Sequence, residues 1–201
     1  PYTVERVSLG VRGAVTRMFG DEDIRWLLGA YCCFTFAWQG TVGFLPTFLQ
    51  VSHGFSSAVA SGTFAGLFLA GIVAKPTAGS LSDRMARPTV GAAGLAIAVL
   101  GITVLVTAPV ALAAMAGVVL YALGHKSFGP VMGAYLMDLF PDGSMGGDLG
   151  AVRTVYLGIA SLGPAYVGIV ASELSYTVAF AGLAVSLVGA AGIMLWFSIT
   201  E

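Results

Sequence analysis

The chain has 201 residues, of which 57% are hydrophobic and 9% charged, with a net charge of −1 and a mean hydropathy of +0.91. A water-soluble domain of that length needs far more polar surface, so the composition places the protein in a membrane. The near-zero charge and the lack of a long basic cluster exclude nucleic acid as a natural partner.

Residues 1–23 read as a cytoplasmic amphipathic segment. Val4, Val7, Val11, Val15 and Met18 recur at helical spacing while Arg6, Arg12 and Arg17 point elsewhere, which fits a short helix lying on the inner membrane surface. A solvated linker is the competing reading, because Gly10 and Gly13 weaken any helix. No cleavable signal is visible: the first apolar run follows charged residues and no small-residue cleavage pattern comes after it. The chain begins with Pro1 and not methionine, and we expect it to be an excerpt of a longer protein.

Residues 24–201 then hold six apolar stretches, at about 24–50, 57–78, 88–107, 110–140, 149–172 and 175–199. About 20 apolar residues cross the hydrocarbon as a helix, so each is long enough. The breaks SHGFSS, SDRMARP, TAP, PDGSMGGD and SEL are turn chemistry or charge. In the first span the adjacent Cys32 and Cys33 are read as reduced thiols packing as small apolar groups, since neighbours rarely reach disulfide geometry. No Cys/His spacing suits a metal, and no cofactor is expected.

Arg6, Arg12, Arg17 and Arg25 precede the first span, Lys75, Arg84 and Arg87 surround the second loop, and Arg153 opens the fifth span. Six spans put all of these on one side, which the positive-inside rule makes cytoplasmic, along with both ends. The pattern also repeats: a shift of 87 residues carries span starts 24, 57 and 88 onto 111, 144 and 175. Three-helix units joined through a third span face opposite ways, the inverted-repeat organisation of secondary transporters. The expected fold is therefore an all-α membrane protein of six transmembrane helices in two inverted repeats.

The loop KPTAGSLSDRMARP, residues 75–88, contains Gly79 where a helix end permits tight backbone approach, Asp83 placed to face a helix N-terminus, and Pro88 suited to a first helical turn. This stretch resembles the major facilitator superfamily, whose cytoplasmic loop reads roughly G-x-L-S-D-R-x-G-R-[RK]. Gly79, Leu81, Ser82, Asp83, Arg84 and Arg87 match, and Lys75 is the basic residue typical four positions earlier. Ala86 and Pro88 depart from the pattern, as in a degenerate second copy. GIASLGPAYVG, residues 158–168, is similar to the family's glycine–proline stretch; Gly158, Gly163 and Gly168 allow close packing and Pro164 bends the helix. AYLMDLFPDG followed by MGGDLGAV resembles the junction before that stretch, without the arginine often seen near Met145. The resemblance implies helices seven to twelve of a transporter, with an N-terminal six-helix half as partner and the lipid bilayer of the cell membrane as its setting.

Lys126 stands 16 residues past Val110 and 14 before Phe140, beyond snorkelling reach of either end. An ammonium at the midplane costs at least ~2.5 kcal/mol even on the lenient insertion scale, so it should face a cavity or an ion partner. No acid shares its span before Asp138. The family resemblance implies that spans one and four line the central cavity. That would make Lys126 a substrate residue for an anion, with Gly129 and Gly133 on its side and Pro130 allowing a bend. The repeat puts Gln39 and Trp38 at the same depth in span one, offering an amide and an aromatic wall. Tyr121 and Trp38 are also read as packing groups. His125 could couple a proton, and a hydrogen-bonded interface histidine is the favoured alternative. Arg153, in the first turn of span five, reads as a cytoplasmic gate or anchor compensated by Asp148 or Asp138.

These features support a secondary active transporter of a small solute, an organic anion such as a monocarboxylate, with a proton as possible co-substrate. HGFSSAVASG, residues 53–62, faintly resembles monocarboxylate-type members of the family. The alternative within the class is a multidrug/proton antiporter-type exporter. An enzyme is not expected: His125 is the only histidine within a span, and no Gly-x-Ser-Gly setting or metal ligand set accompanies it. A pore or scaffold fits the inverted repeat poorly.

Overall fold

The computed structural model describes residues 11–140 and 145–200, so Arg6, the first part of the expected amphipathic helix and residues 141–144 of the PDGSMGGD turn lie outside the described residues. The described chain forms α1 (Val11–Gly20), α2 (Glu22–His53), α3 (Ser57–Ser82), α4 (Arg87–Thr107), α5 (Ala111–Asp138), α6 (Met145–Ala160), α7 (Leu162–Glu173) and α8 (Tyr176–Thr200). Five stretches are long and apolar enough to cross a membrane: α3, α4, α5, α6 with α7 as one 29-residue unit, and α8. The 32-residue α2 is outside that group, carrying Gln39, Gln50 and three threonines.

The helix ends follow local chemistry. Asp21 opens α2 by accepting hydrogen bonds from the Asp23 and Ile24 amides at 3.0 and 3.2 Å. Gly54 closes it in the left-handed region at φ 68°, with its N–H on the Gln50 carbonyl and that of Phe55 on Leu49. Ser56 then caps α3 through the Val59 amide. α3 runs four residues beyond the expected end, through Gly79 to Ser82, whose hydroxyl donates to the Gly79 carbonyl. Between α6 and α7 the helix breaks at Ser161. Pro164 lacks an N–H and its ring crowds the Ala160 carbonyl, so the interruption falls one turn before it. α5, by contrast, continues through Pro130.

The packing has an internal two-fold character. α2 packs on α6, α7 and α8, while α5 packs on α3 and α4, and α4 meets α8. Exchanging α2 with α5, α3 with α6–α7, and α4 with α8 reproduces the same set of contacts, as the two repeated units require. The α4–α5 seam is the closest: a Cβ at Gly101, Gly117 or Gly124 would collide with the backbone of Tyr121, Leu105 or Ala98. Small residues let helix backbones approach where lipid gives no hydrophobic drive between helices. Gly163 does the same on α7, against the Phe36 carbonyl and Gly40 of α2. Hydrogen bonds from Thr35 to the Tyr156 carbonyl (3.2 Å) and from Ser186 to the Cys33 carbonyl (3.0 Å) tie α2 to α6 and α8. Cys32 and Cys33 are free and half-buried.

α1 docks on α6 and α2. Met18 is buried, and Arg17, next to it in sequence, grips the buried Asp148 carboxylate of α6 through two bonds of 3.0 and 2.7 Å. The Asp148 hydrogen bond holds the Arg17 guanidinium above its ordinary pKa. Arg25 adds a 2.9 Å bond to the Phe19 carbonyl at the end of α1.

Two outcomes check this packing. Gly101→Ala, which would favour an isolated helix by ~0.5–1 kcal/mol, should instead destabilise the protein by about 1–3 kcal/mol because backbone must move. Gly192→Ala, where a Cβ meets nothing within 4 Å, should not; thermal unfolding in detergent compares the two, and a raised midpoint for Gly101→Ala would refute the close seam. Asp148→Asn should release α1, seen as faster amide exchange across residues 11–20 with α4 and α5 unchanged. Unaltered protection of α1 would mean the ion pair does not anchor it.

Candidate functional site: a lysine held by aromatic faces

Gly124 lies against Ala98 and Gly94 of α4, which fixes the rotation of α5 about its axis. The next two residues, each turned about 100° further, therefore point toward α2 and α3. His125 is buried and Lys126 half-buried. The Lys126 stem lies across Gly71 of α3, where a Cβ would stand 3.4 Å from Cγ and 3.5 Å from Cδ. Its Nζ sits 3.6 Å from the ring centroid of Trp38 on α2 and 5.1 Å from that of Phe68 on α3. Aromatic faces carry partial negative charge and attract an ammonium at these distances. Among the described residues the salt bridges are Arg17–Asp148 and Arg87–Asp138, and neither involves Lys126. Lys75, one turn past Gly71 on the same side of α3, adds a like charge that acts on Lys126.

Trp38 itself is firmly oriented. It stacks on His125 at 4.5 Å and 24°, lies parallel to Tyr121 at 6.5 Å and 17°, and meets the edge of Phe68 at 6.0 Å. Phe34 covers His125 at 3.9 Å and 14°. His125 is thus an interface residue, but one held by stacking and not by hydrogen bonds. Neither ring nitrogen makes a hydrogen bond of standard geometry. The Thr41 and Tyr121 hydroxyls, one turn away on α2 and α5, are likewise buried without a hydrogen bond of standard geometry.

The other expected site residues separate from this cluster. Gln39 is exposed on α2, one helical step from Trp38, and its side chain makes no hydrogen bond among the described residues. Of the pair expected at that depth, only Trp38 meets the lysine. Gly129 is half-buried, and a Cβ there would meet open space; Pro130 is exposed. Phe68 and Gly71 are site residues the sequence reading did not single out. Their signal is the run Phe64, Phe68, Gly71, Lys75 at helical spacing, which an all-round apolar helix conceals.

The loop residues also differ from expectation. Gly79 has no neighbour that a Cβ would touch, so within this chain it mediates no close approach. Asp83 is the C-cap of α3, and Ala86 starts α4 without a side-chain hydrogen bond, so Asp83 does not cap α4. Arg84 is exposed. Arg87 instead pairs with Asp138 at the end of α5, joining the start of α4 to the end of its neighbour. Both acids expected to compensate Arg153 are therefore engaged elsewhere, Asp148 by Arg17 and Asp138 by Arg87. Arg153 is exposed; five residues from Asp148 it lies about 140° round the helix, and its charge acts on Tyr31 of α2.

The structure is similar to two solved transporters. One is the POT family transporter PepTSo, with TM-score 0.75, 17% identity, and coverage of 87% of this chain and 37% of that one. The other is the E. coli fucose:proton symporter FucP, with TM-score 0.77, 16% identity, and coverage of 94% and 46%. The chain thus spans less than half the length of either. None of the curated proteins matches the sequence. Residues 11–201 match the Major Facilitator Superfamily. With its long apolar helices and that match over almost its whole length, the chain is a multi-pass membrane protein belonging to the Major Facilitator Superfamily.

Proposed function

We propose that this chain is the C-terminal six-helix half, helices seven to twelve, of a secondary active transporter that moves a small organic anion such as a monocarboxylate by alternating access. Its partner is an N-terminal six-helix half of the same protein, and its ends face the cytoplasm across the cell membrane. It is no enzyme on this reading. The observation that carries the proposal is Lys126: a cation deep in a membrane-spanning helix, with aromatic faces around it and no carboxylate of the described residues at salt-bridge distance. A carboxylate guest supplies the missing counter-charge, and a charge-assisted hydrogen bond in a low-dielectric site is strong.

Proton coupling fits the same geometry. FucP is described as a fucose:proton symporter. Here His125 adjoins Lys126 and has ring nitrogens without hydrogen bonds. A proton on His125 would repel the ammonium, and an anion at Lys126 would offset that repulsion, so proton and anion favour each other's binding. The alternative, an antiporter-type exporter of drug-like compounds, draws on the aromatic lining of Trp38, Phe68 and Phe64.

The test uses the full-length protein in proteoliposomes. Lys126→Gln should lower counterflow of a monocarboxylate at least ~30-fold, the factor for about 2 kcal/mol lost when one partner of a buried charge pair is truncated. Lys126→Arg should retain part of the activity. Unchanged uptake in Lys126→Gln would overturn the anion reading, and saturable export of a hydrophobic cation without carboxylate counterflow would establish the alternative.

A further inference from the structure

Lys126 is held in a way that bears on how an anion could leave. The ammonium lies 3.6 Å from the Trp38 centroid, its stem rests flat on Gly71, and the indole is fixed by its stack on His125. This arrangement satisfies the cation without a carboxylate, and without the rigid pairing that a buried salt bridge would impose. A site that binds its guest through an otherwise unsatisfied buried charge would release it slowly, because departure would leave the ammonium bare. Transport needs binding weak enough to reverse.

We propose that Trp38 is a positioning residue that takes up the Lys126 ammonium when no anion is bound and competes with the transported anion for it. Anion release is then an exchange of partners, carboxylate for indole face, and not a bare separation of charge. Phe68, edge-on to Trp38 at 6.0 Å, flanks the ammonium at 5.1 Å beside the indole. The inference rests on the anion-transport reading above, and assigns Trp38 a role through the lysine instead of a contact with substrate.

The consequence is a split in the kinetics that a merely structural tryptophan would not produce. In the full-length transporter, Trp38→Leu removes the competitor, so KM for L-lactate counterflow should fall and kcat should fall with it, each roughly tenfold, as for loss of a desolvated cation–π contact. Trp38→Phe keeps an aromatic face and should restore most of both. A second readout needs no Trp38 variant: reductively 13C-methylated lysines retain their charge, and the Lys126 signal, identified by its loss in Lys126→Gln, should show an upfield ring-current shift that L-lactate titrates away. No ring-current shift in the wild type would overturn the proposal. So would a shift that persists at saturating L-lactate while L-lactate is transported, or a Trp38→Leu variant that only raises KM. If the shift is present but no carboxylate is transported at all, the anion reading itself fails, and the proposed competition falls with it.

Discussion

The rotation of α5 governs where its chemistry points, and that rotation is set by backbone contact. Gly101, Gly117 and Gly124 bring α4 and α5 together where no side chain fits. Hydrocarbon offers no partner to exposed N–H and C=O groups, so each span must be a helix, and helices already surrounded by lipid gain little from hydrophobic association. Close van der Waals approach through glycine is what remains. With Gly124 pressed on Ala98, His125 and Lys126 are turned toward α2 and α3, and no rotamer of the lysine reverses that.

The same economy runs through the bundle. Gly163 against Gly40 repeats on α2–α7 what Gly124 does on α5–α4, and the contacts interchange when one three-helix unit is exchanged for the other. Polar side chains link helices sparingly, as with Thr35 on the Tyr156 carbonyl. Among the described residues ion pairs stay at the ends, where Arg17 holds Asp148 and Arg87 holds Asp138. Those pairs bind α1 to α6 and α4 to α5 at the helix termini, outside the long apolar runs where charge is costly.

Against that background the environment of Lys126 is distinctive. A buried ammonium can be matched by a carboxylate, by water or by π faces, and α2 and α3 supply the last. An aromatic partner attracts the cation less than a carboxylate does and leaves it exchangeable. The stack of Phe34, His125 and Trp38 holds the indole in place for this contact.

Much of the architecture was legible in the residues. Long apolar runs separated by HGFSS, SDR and SEL dictate helices and turns because lipid tolerates little else, and the 87-residue period follows from span lengths alone. The cost of Lys126 at mid-span was likewise readable, since it depends only on distance along a helix. Which residue meets it was not. Helices that are apolar on every side carry little periodicity, so nothing along the chain distinguishes Trp38 from Gln39, or marks Phe68 and Gly71 as its neighbours. The partners of Asp148 and Asp138 were hidden for the same reason: Arg17 is 131 residues from one and Arg87 is 51 from the other. Sequence by itself determined the spans, the turns and the presence of an expensive charge, because these are local matters of length and solvation. Tertiary structure decided the rotation of each helix, and with it the partners of that charge, because backbone contact at glycines sets the rotation.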